Sequence, residues 1–446
     1  MGIYKDCDIR GVYGLDLSDW HASRLGQAIG HLLGAGDVLV AGDGRHSTAR
    51  LKDKLSEALV GRGCYVVDLG QVPTPVFYFA RHFLGINTGV IVTASHNPAE
   101  DNGFKLILGA LPVTPQEMLT IRNVMEHNVE LRQVPGGRVE KVDILPEYLL
   151  SMRKQIPHLE GLKVVVDCAN GMAAQVAKSL WQSTGAQAAY IFDRVDGSFP
   201  NHPPNPARPE NLAALGAEVK KTKADLGVAY DGDGDRVAFV DAAGKPLSND
   251  NVIVLFARVA LKENPAPIVY DQKCSSIVRE AIETAGGEPV MERSGHTFIK
   301  TSFIRLNAPY AGEISGHHFF RSIGGDDGVM ASLFLSDFLV HSGSSLAELV
   351  NEIPVYPITP DIRIPMDEPA INRVLQDLQS QLDREARLST LDGVRLEFED
   401  GWGMARQSVT EPVITLRFEG KTTQALKKIM QRFEIAAPDL AGRLAL

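Results

Sequence analysis

Gly89-Val90-Ile91-Val92-Thr93-Ala94-Ser95-His96-Asn97-Pro98 runs from a β-branched apolar stretch straight into a polar loop. The apolar half reads as a buried strand. Asn97-Pro98 forces a turn, so Ser95 stands at the strand's carboxyl end, where open α/β sheets place their ligands. A lone serine in a turn more often bonds its own backbone. Here His96 beside it and Lys105 ten residues on offer protons or positive charge. No Gly-x-Ser-x-Gly elbow surrounds Ser95, which argues against an esterase serine.

The strand belongs to a pattern that repeats along the chain. Val38-Leu39-Val40-Ala41 reads as a strand, Leu51, Leu55 and Leu59 share one helical face, and Tyr65-Val66-Val67 is a second strand. The pattern returns at 163–167, with a helix expected over 173–180 and a strand over 190–192. It returns again at 267–270, with a helix over 277–285 and a strand over 289–291. Each unit predicts a parallel pair with a right-handed crossover. Copies about 100 residues apart imply three related domains, because solenoid repeats have periods of about 20–50 residues. Beyond Pro354, Pro357 and Pro360 the pattern changes. A helix is expected over 370–382, and Val394, Leu396 and Phe398 alternate with polar residues. Val413, Ile414, Leu416 and Phe418 read as their partner strand, and a closing helix is expected over 422–433. The fold class is α/β: three related α/β domains with mixed sheets, then a smaller C-terminal α+β domain. The expected limits are 1–145, 146–250, 251–355 and 356–446.

At 446 residues and 44% hydrophobic content, the chain can bury several cores. A formal net charge of −10 without a lysine or arginine block excludes non-specific nucleic-acid binding. The four cysteines, Cys7, Cys64, Cys168 and Cys274, form no Cys-x-x-Cys pair. They point to a reducing compartment rather than a disulfide framework or a zinc site. No signal-peptide core and no run of about 18 apolar residues is present, so the expectation is a cytoplasmic protein with no membrane partner.

Asp231-Gly232-Asp233-Gly234-Asp235-Arg236 lies between two strand-like runs, 226–230 and 237–240. A single Asp-Gly would be a hairpin turn. Three alternating aspartates repel one another unless a cation sits among them, and the glycines let three oxygens converge on one hard ion. A calcium EF-hand does not fit, because Arg236 occupies its glycine position and Ala242 its twelfth.

The run from Thr93 to Lys105 resembles the active-serine loop of the α-D-phosphohexomutases, a family in which the serine is carried as phosphoserine. Asp231, Asp233 and Asp235 match that family's magnesium loop, with a phosphate oxygen on Ser95 as the fourth ligand. The resemblance implies a fold with four domains around a central cleft. Gly312-Glu313-Ile314-Ser315-Gly316-His317 is similar to its sugar-recognition loop. Glu313 and Ser315, on one face of an extended loop, would bond neighbouring sugar hydroxyls as acceptor and donor. Ile314, where many dual mannose/glucose enzymes have methionine, favours that class, with phosphoglucosamine mutase as the alternative. Arg406-Gln407-Ser408-Val409-Thr410-Glu411-Pro412 is similar to the phosphate-binding loop. One guanidinium, the Ser408 and Thr410 hydroxyls and the Val409 N–H suit a phosphate dianion. Arg10 in Asp8-Ile9-Arg10-Gly11 resembles the arginine that reaches the reacting phosphoryl group, with Cys7 where a tyrosine is common. Lys273 and His296 match residues lining the third domain's side of the cleft. Gly420-Lys421-Thr422 is no P-loop, since Thr415 replaces its first glycine.

The expected activity is interconversion of hexose 1-phosphate and hexose 6-phosphate through phosphoserine at Ser95 and a sugar 1,6-bisphosphate. Mg2+ would be the cofactor and the bisphosphate the activator. Ser95, Arg10, His96, Lys105 and His296 are the catalytic candidates. Arg236, Lys273, Glu313, Ser315, Arg406, Ser408, Val409 and Thr410 would bind substrate. The expected assembly is a monomer or dimer whose partner is the hexose phosphate. A metal-dependent serine phosphatase and a non-catalytic sugar-phosphate sensor are the readings from other classes.

Overall fold

A computed structural model describes residues 2–127, 133–382, 386–408 and 412–444. Its strands form four sheets. The first runs, edge to edge, Asp8–Val12, Asp101–Leu108, Thr88–Val92, Asp37–Gly42, Tyr65–Gln71 and Arg138–Lys141. Its first two pairings are antiparallel and the rest parallel. The expected crossover helix is Thr48–Gly61, which buries Leu51, Leu55 and Leu59 on one face. Each such leucine stabilises the packing by about 1.5–3 kcal/mol.

The second sheet runs Val237–Asp241, Leu226–Tyr230, Lys163–Asp167 and Gln187–Ile191. Its first pair is an antiparallel hairpin and the others are parallel. The continuous helix expected over 173–180 is not present. Met172–Gln175 is a 3-10 turn and the α-helix is Ala177–Gln182. The cause is tertiary, because the Met172 amide is drawn onto the Gly232 carbonyl at 2.9 Å and tightens the first turn.

The third sheet runs Glu288–Glu292, Pro267–Asp271, Tyr310–Gly312, His318–Phe320 and Gly325–Asp326. Its parallel pair flanks the helix Ser276–Thr284, as the sequence pattern required. The fourth sheet is wholly antiparallel: Ile362–Pro365, Val413–Gly420, Gly401–Gln407, Val394–Phe398 and Arg387–Ser389. Helices Glu368–Leu382 and Thr423–Ala436 cover it. Val413–Gly420 does not pair with Val394–Phe398, contrary to expectation, because Gly401–Gln407 lies between them. Gly403 hides that strand from a propensity reading. A Cβ there would sit 2.6 Å from the Phe433 ring, so the helix requires glycine.

One buried core runs through the first three sheets, from Leu39 and Phe77 through Val164 and Trp181 to Ile253, Tyr310 and Leu349. The fourth sheet has a core of its own around Leu378, Leu416 and Phe433. The strand ends that carry the chemistry therefore meet where three sheets share one packed interior. Among the described residues no helix is long and apolar enough to cross a membrane, and the four cysteines are unpaired.

Candidate active site

The strand Thr88–Val92 is buried along its length and leads into Thr93, Ala94 and Ser95, which are fully buried, before the loop turns outward at Pro98. Ser95 has φ +52, a left-handed conformation that costs a non-glycine residue about 1–3 kcal/mol and persists only where its surroundings impose it. Its amide donates to Thr93 Oγ1 at 2.9 Å. Its hydroxyl donates to Asp231 Oδ2 at 2.8 Å and lies 3.3 Å from His96 Nδ1.

Asp231, Asp233 and Asp235 occupy the hairpin between Leu226–Tyr230 and Val237–Asp241, fully buried. The Gly234 and Arg236 amides hold Asp231 Oδ1 at 2.9 and 3.2 Å. Asp233 Oδ2 accepts from Thr74 Oγ1 and Lys105 Nζ, each at 2.7 Å, and Asp235 Oδ2 accepts from Lys105 at 2.6 Å. One oxygen of each aspartate can lie within 4.8 Å of the others, and Asp233 Oδ1 and Asp235 Oδ1 have no hydrogen-bond partner. Orphaned anionic oxygens in a dry cluster fit a divalent cation with oxygen ligands.

Burial and the charges of Asp233 and Asp235 push Asp231 well above the usual carboxylate range. Burial opposes ionisation of Asp233 too, but Lys105 and Thr74 hold it low. The same two aspartates raise Lys105 against its own burial, so it keeps its proton. His96 and His296 are driven well below the ordinary histidine range, first by burial and then by neighbouring cations. Both imidazoles are therefore neutral and able to accept a proton.

Arg10 lies on the edge strand Asp8–Val12, donates to Asp8 at 2.7 Å and reaches the Ala94 carbonyl at 3.2 Å. Arg236 Nε donates to His317 Nε2 at 2.9 Å and lies 3.9 Å from Asp231. His317 is a residue that sequence reasoning missed, although it closes a motif already singled out. Its Nδ1 lies 3.0 Å from Asp326 and 3.6 Å from Asp235, and the His296 ring stacks on it at 5.3 Å. Because Nε2 accepts from Arg236, the ring proton is assigned to Nδ1, facing Asp326. Lys300, 3.0 Å from Asp326 and 3.2 Å from the Tyr78 ring centroid, completes this side.

Glu313 and Ser315 lie on a tight turn rather than the extended loop expected. The Glu313 amide donates to the His317 carbonyl at 2.9 Å and the Gly316 amide to Glu313 at 3.0 Å. Gly316, at φ +99, makes the reversal possible. Asn249 Nδ2 holds the Ile314 carbonyl at 2.7 Å. Glu313 Oε2 and Ser315 Oγ are buried without hydrogen-bond partners, and burial raises the Glu313 pKa. The Val237 amide bonds the Gly316 carbonyl at 3.1 Å, fastening this turn to the aspartate hairpin.

Lys273 and Arg406 are not in that cluster. Lys273 donates to Asp361 at 2.6 Å, and Arg406 donates to Asp392 at 2.9 Å. Both pairs lie at the seam of the third and fourth sheets, where Gln272 Nε2 also reaches Asp392 at 3.3 Å. Ser408 is placed beside the strand pairing, its amide on the Val413 carbonyl at 3.0 Å. Val409 and Thr410 lie outside the described residues. Thr74, Lys300 and Asp326 carried no sequence signal, since only the folded chain brings them to the aspartates and His317.

Comparison with known proteins gives this constellation a context. Four models of phosphoglucomutase/phosphomannomutase domains match: alpha/beta/alpha domain I at residues 2–132, domain II at 146–244, domain III at 248–356 and the C-terminal domain at 362–436. A phosphomannomutase/phosphoglucomutase of Pseudomonas aeruginosa is 40% identical over 438 residues, covering 97% of this chain and 94% of that protein. A phosphoglucomutase of Neisseria gonorrhoeae is 34% identical, covering 97% and 96%. The crystal structure of a phosphoglucomutase/phosphomannomutase family protein from Burkholderia thailandensis superposes with a TM-score of 0.90 at 35% identity, covering 99% and 98%.

Proposed function

The chain belongs to the phosphoglucomutase/phosphomannomutase family, and from that premise we propose how its residues divide the work of a phosphohexomutase. It is an isomerase that moves a phosphoryl group between the 1- and 6-oxygens of a hexose phosphate, mannose and/or glucose. The observation that carries the assignment is the Ser95 hydroxyl on Asp231 at 2.8 Å, within the trio of buried aspartates.

In the first half-reaction a substrate hydroxyl attacks the phosphorus of phosphoserine 95. A P–O bond forms to the sugar, the P–Oγ bond breaks, and the product is the 1,6-bisphosphate. After reorientation, Ser95 Oγ attacks the other phosphoryl group and the phosphoserine is restored. The hydroxyl proton needs a neutral acceptor, and His296 and His96 fit because burial keeps them uncharged. Lys105, held protonated by Asp233 and Asp235, serves as fixed positive charge. Arg10 and Arg236 add charge where the phosphoryl oxygens pass.

Asp231, Asp233 and Asp235 would hold Mg2+, the oxygen-seeking ion commonly shared with phosphates. Such an ion neutralises phosphate charge and makes serine a better leaving group. Glu313 and Ser315, with unused polar atoms, would take sugar hydroxyls in either orientation. Arg406, Ser408, Val409 and Thr410 would hold the non-reacting phosphate once the fourth domain closes, and Lys273 would line the cleft and bind substrate from the third domain.

We assign the serine to segment 1–145, the metal to 146–250, sugar recognition to 251–355 and phosphate binding to 356–446. The sugar 1,6-bisphosphate is the proposed activator, returning phosphate to Ser95. The four unpaired cysteines support a cytoplasmic enzyme, and we propose that it is a monomer or dimer. Turnover of mannose, glucose and glucosamine 1-phosphates in parallel, with Mg2+ and trace bisphosphate, tests the substrate class. Comparable rates on the first two support it, and a preference for the amino sugar reverses it.

A further inference from the structure

Arg45 follows the strand Asp37–Gly42 and takes no part in the chemistry above, yet its side chain is completely buried. A guanidinium has five N–H donors, and here all five are used. Nε donates to Asp43 Oδ2 at 3.1 Å. Nη1 donates to the carbonyls of Pro98 and Asp101. Nη2 donates to the carbonyls of Ser95 at 2.9 Å and Asn97 at 2.7 Å. One cation therefore gathers four main-chain carbonyls of the loop that carries the serine. No N–H is left for a phosphate, so any effect on the reaction passes through the loop.

The clamp is itself held. Asp43 Oδ1 accepts from the Arg45 amide at 3.0 Å and from Thr48 Oγ1 at 2.6 Å, fixing the carboxylate that fixes the arginine. The Phe199 ring, from the second domain, covers the guanidinium at 5.0 Å. At Gly197 a Cβ would stand 2.4 Å from the Gly44 carbonyl and 2.6 Å from Arg45 Cα. The second domain, which supplies the aspartate hairpin, thus packs directly on the clamp.

We propose that Arg45 is a positioning residue for phosphoryl transfer: it imposes the left-handed backbone at Ser95 and holds its hydroxyl on the aspartates. The inference rests on Ser95 being the phosphoryl carrier. A lysine could not replace the arginine, since a point charge with three donors cannot span four carbonyls and a carboxylate.

The test uses the full chain with Arg45→Ala and Arg45→Lys, glucose 1-phosphate, Mg2+ and glucose 1,6-bisphosphate. Displacement of the serine lowers kcat by about 100-fold in each variant, while KM, set by other residues, stays within about threefold. Millimolar guanidinium chloride, far below denaturing concentrations, enters the cavity of Arg45→Ala and restores kcat at least about tenfold; potassium chloride does not. Turnover within about threefold of the parent, a loss confined to KM, or a loss in Arg45→Ala that guanidinium leaves untouched would overturn the proposal. If circular dichroism shows Arg45→Ala unfolded, Arg45→Lys and Asp43→Asn decide by the same kcat and KM split. Phosphate on Ser95 of the parent, read by intact mass, is the control. Its absence sinks the phosphoserine reading, whereas its presence with unimpaired Arg45→Lys turnover sinks only the clamp.

Discussion

Ser95 Oγ and Asp231 Oδ2, 136 residues apart in sequence, lie 2.8 Å apart across the seam of two sheets. The approach depends on a residue between two aspartates. A Cβ at Gly232 would stand 2.4 Å from the Ser95 carbonyl, a main-chain atom that cannot swing aside. Gly232→Ala should therefore push the aspartate hairpin off the serine loop. Displacement of about 1 Å at a reacting atom costs about 100-fold, so kcat should fall by that order. Circular dichroism should stay unchanged, because both sheets lie outside the clash.

The divalent ion should be visible as stability. Without it, Asp231 has its pKa raised by burial and by Asp233 and Asp235, so its ionisation disfavours the folded chain. That stability is present below the ordinary carboxylate pKa and lost as pH rises through the raised value. Mg2+ at 100 times its Kd should restore about 2.7 kcal/mol, read as a rise in Tm at neutral pH. In Asp231→Asn the Mg2+-dependent rise should shrink, and the metal-free variant should melt no lower than the metal-free parent.

Much of this site was readable before any coordinate, and the reason is local. Ser95 and the three aspartates follow strands whose apolar runs and turn residues fix their placement, and Lys105 lies within the strand Asp101–Leu108 that pairs with the one leading to Ser95. His317 was not readable. Its meaning comes from Asp326, Arg236 and His296, which a short hairpin, a domain contact and a helix start bring to one ring. Arg45 was missed for the same reason, since apart from Asp43 its partners are carbonyls, and carbonyls leave no mark in a sequence. The strand Gly401–Gln407 escaped because Gly401 and Gly403 serve packing rather than propensity.

Glu313 should set an acidic limb in substrate binding. Burial raises its pKa, so its carboxylate is lost at a higher pH than an ordinary glutamate's. KM for glucose 1-phosphate should climb on acidification from above the usual glutamate range. In Glu313→Gln that limb should vanish. KM at pH 8 should rise about tenfold or more, since a charged hydrogen bond contributes about 1.5–3 kcal/mol.

Arg395 should hold the fourth domain on the third. It is buried, donates to the Gln272 carbonyl, lies 3.2 Å from Glu397 and stacks over Trp402 at 3.9 Å. Removing the guanidinium leaves the buried Gln272 carbonyl without its partner across the seam, which costs about 1–3 kcal/mol. Arg395→Ala should speed limited proteolysis in the linker 354–361. It should also raise KM more than it lowers kcat, because the phosphate cradle would lose its fixed seat.

The central claim is that Ser95 carries the phosphoryl group, and intact-mass analysis with peptide mapping addresses it directly. After incubation with glucose 1,6-bisphosphate and Mg2+, the account predicts one phosphate per chain on Ser95. That phosphate should be discharged by hexose 6-phosphate and should be absent from an inactive Ser95→Ala protein. Phosphate on another residue, or full turnover by Ser95→Ala, would contradict it.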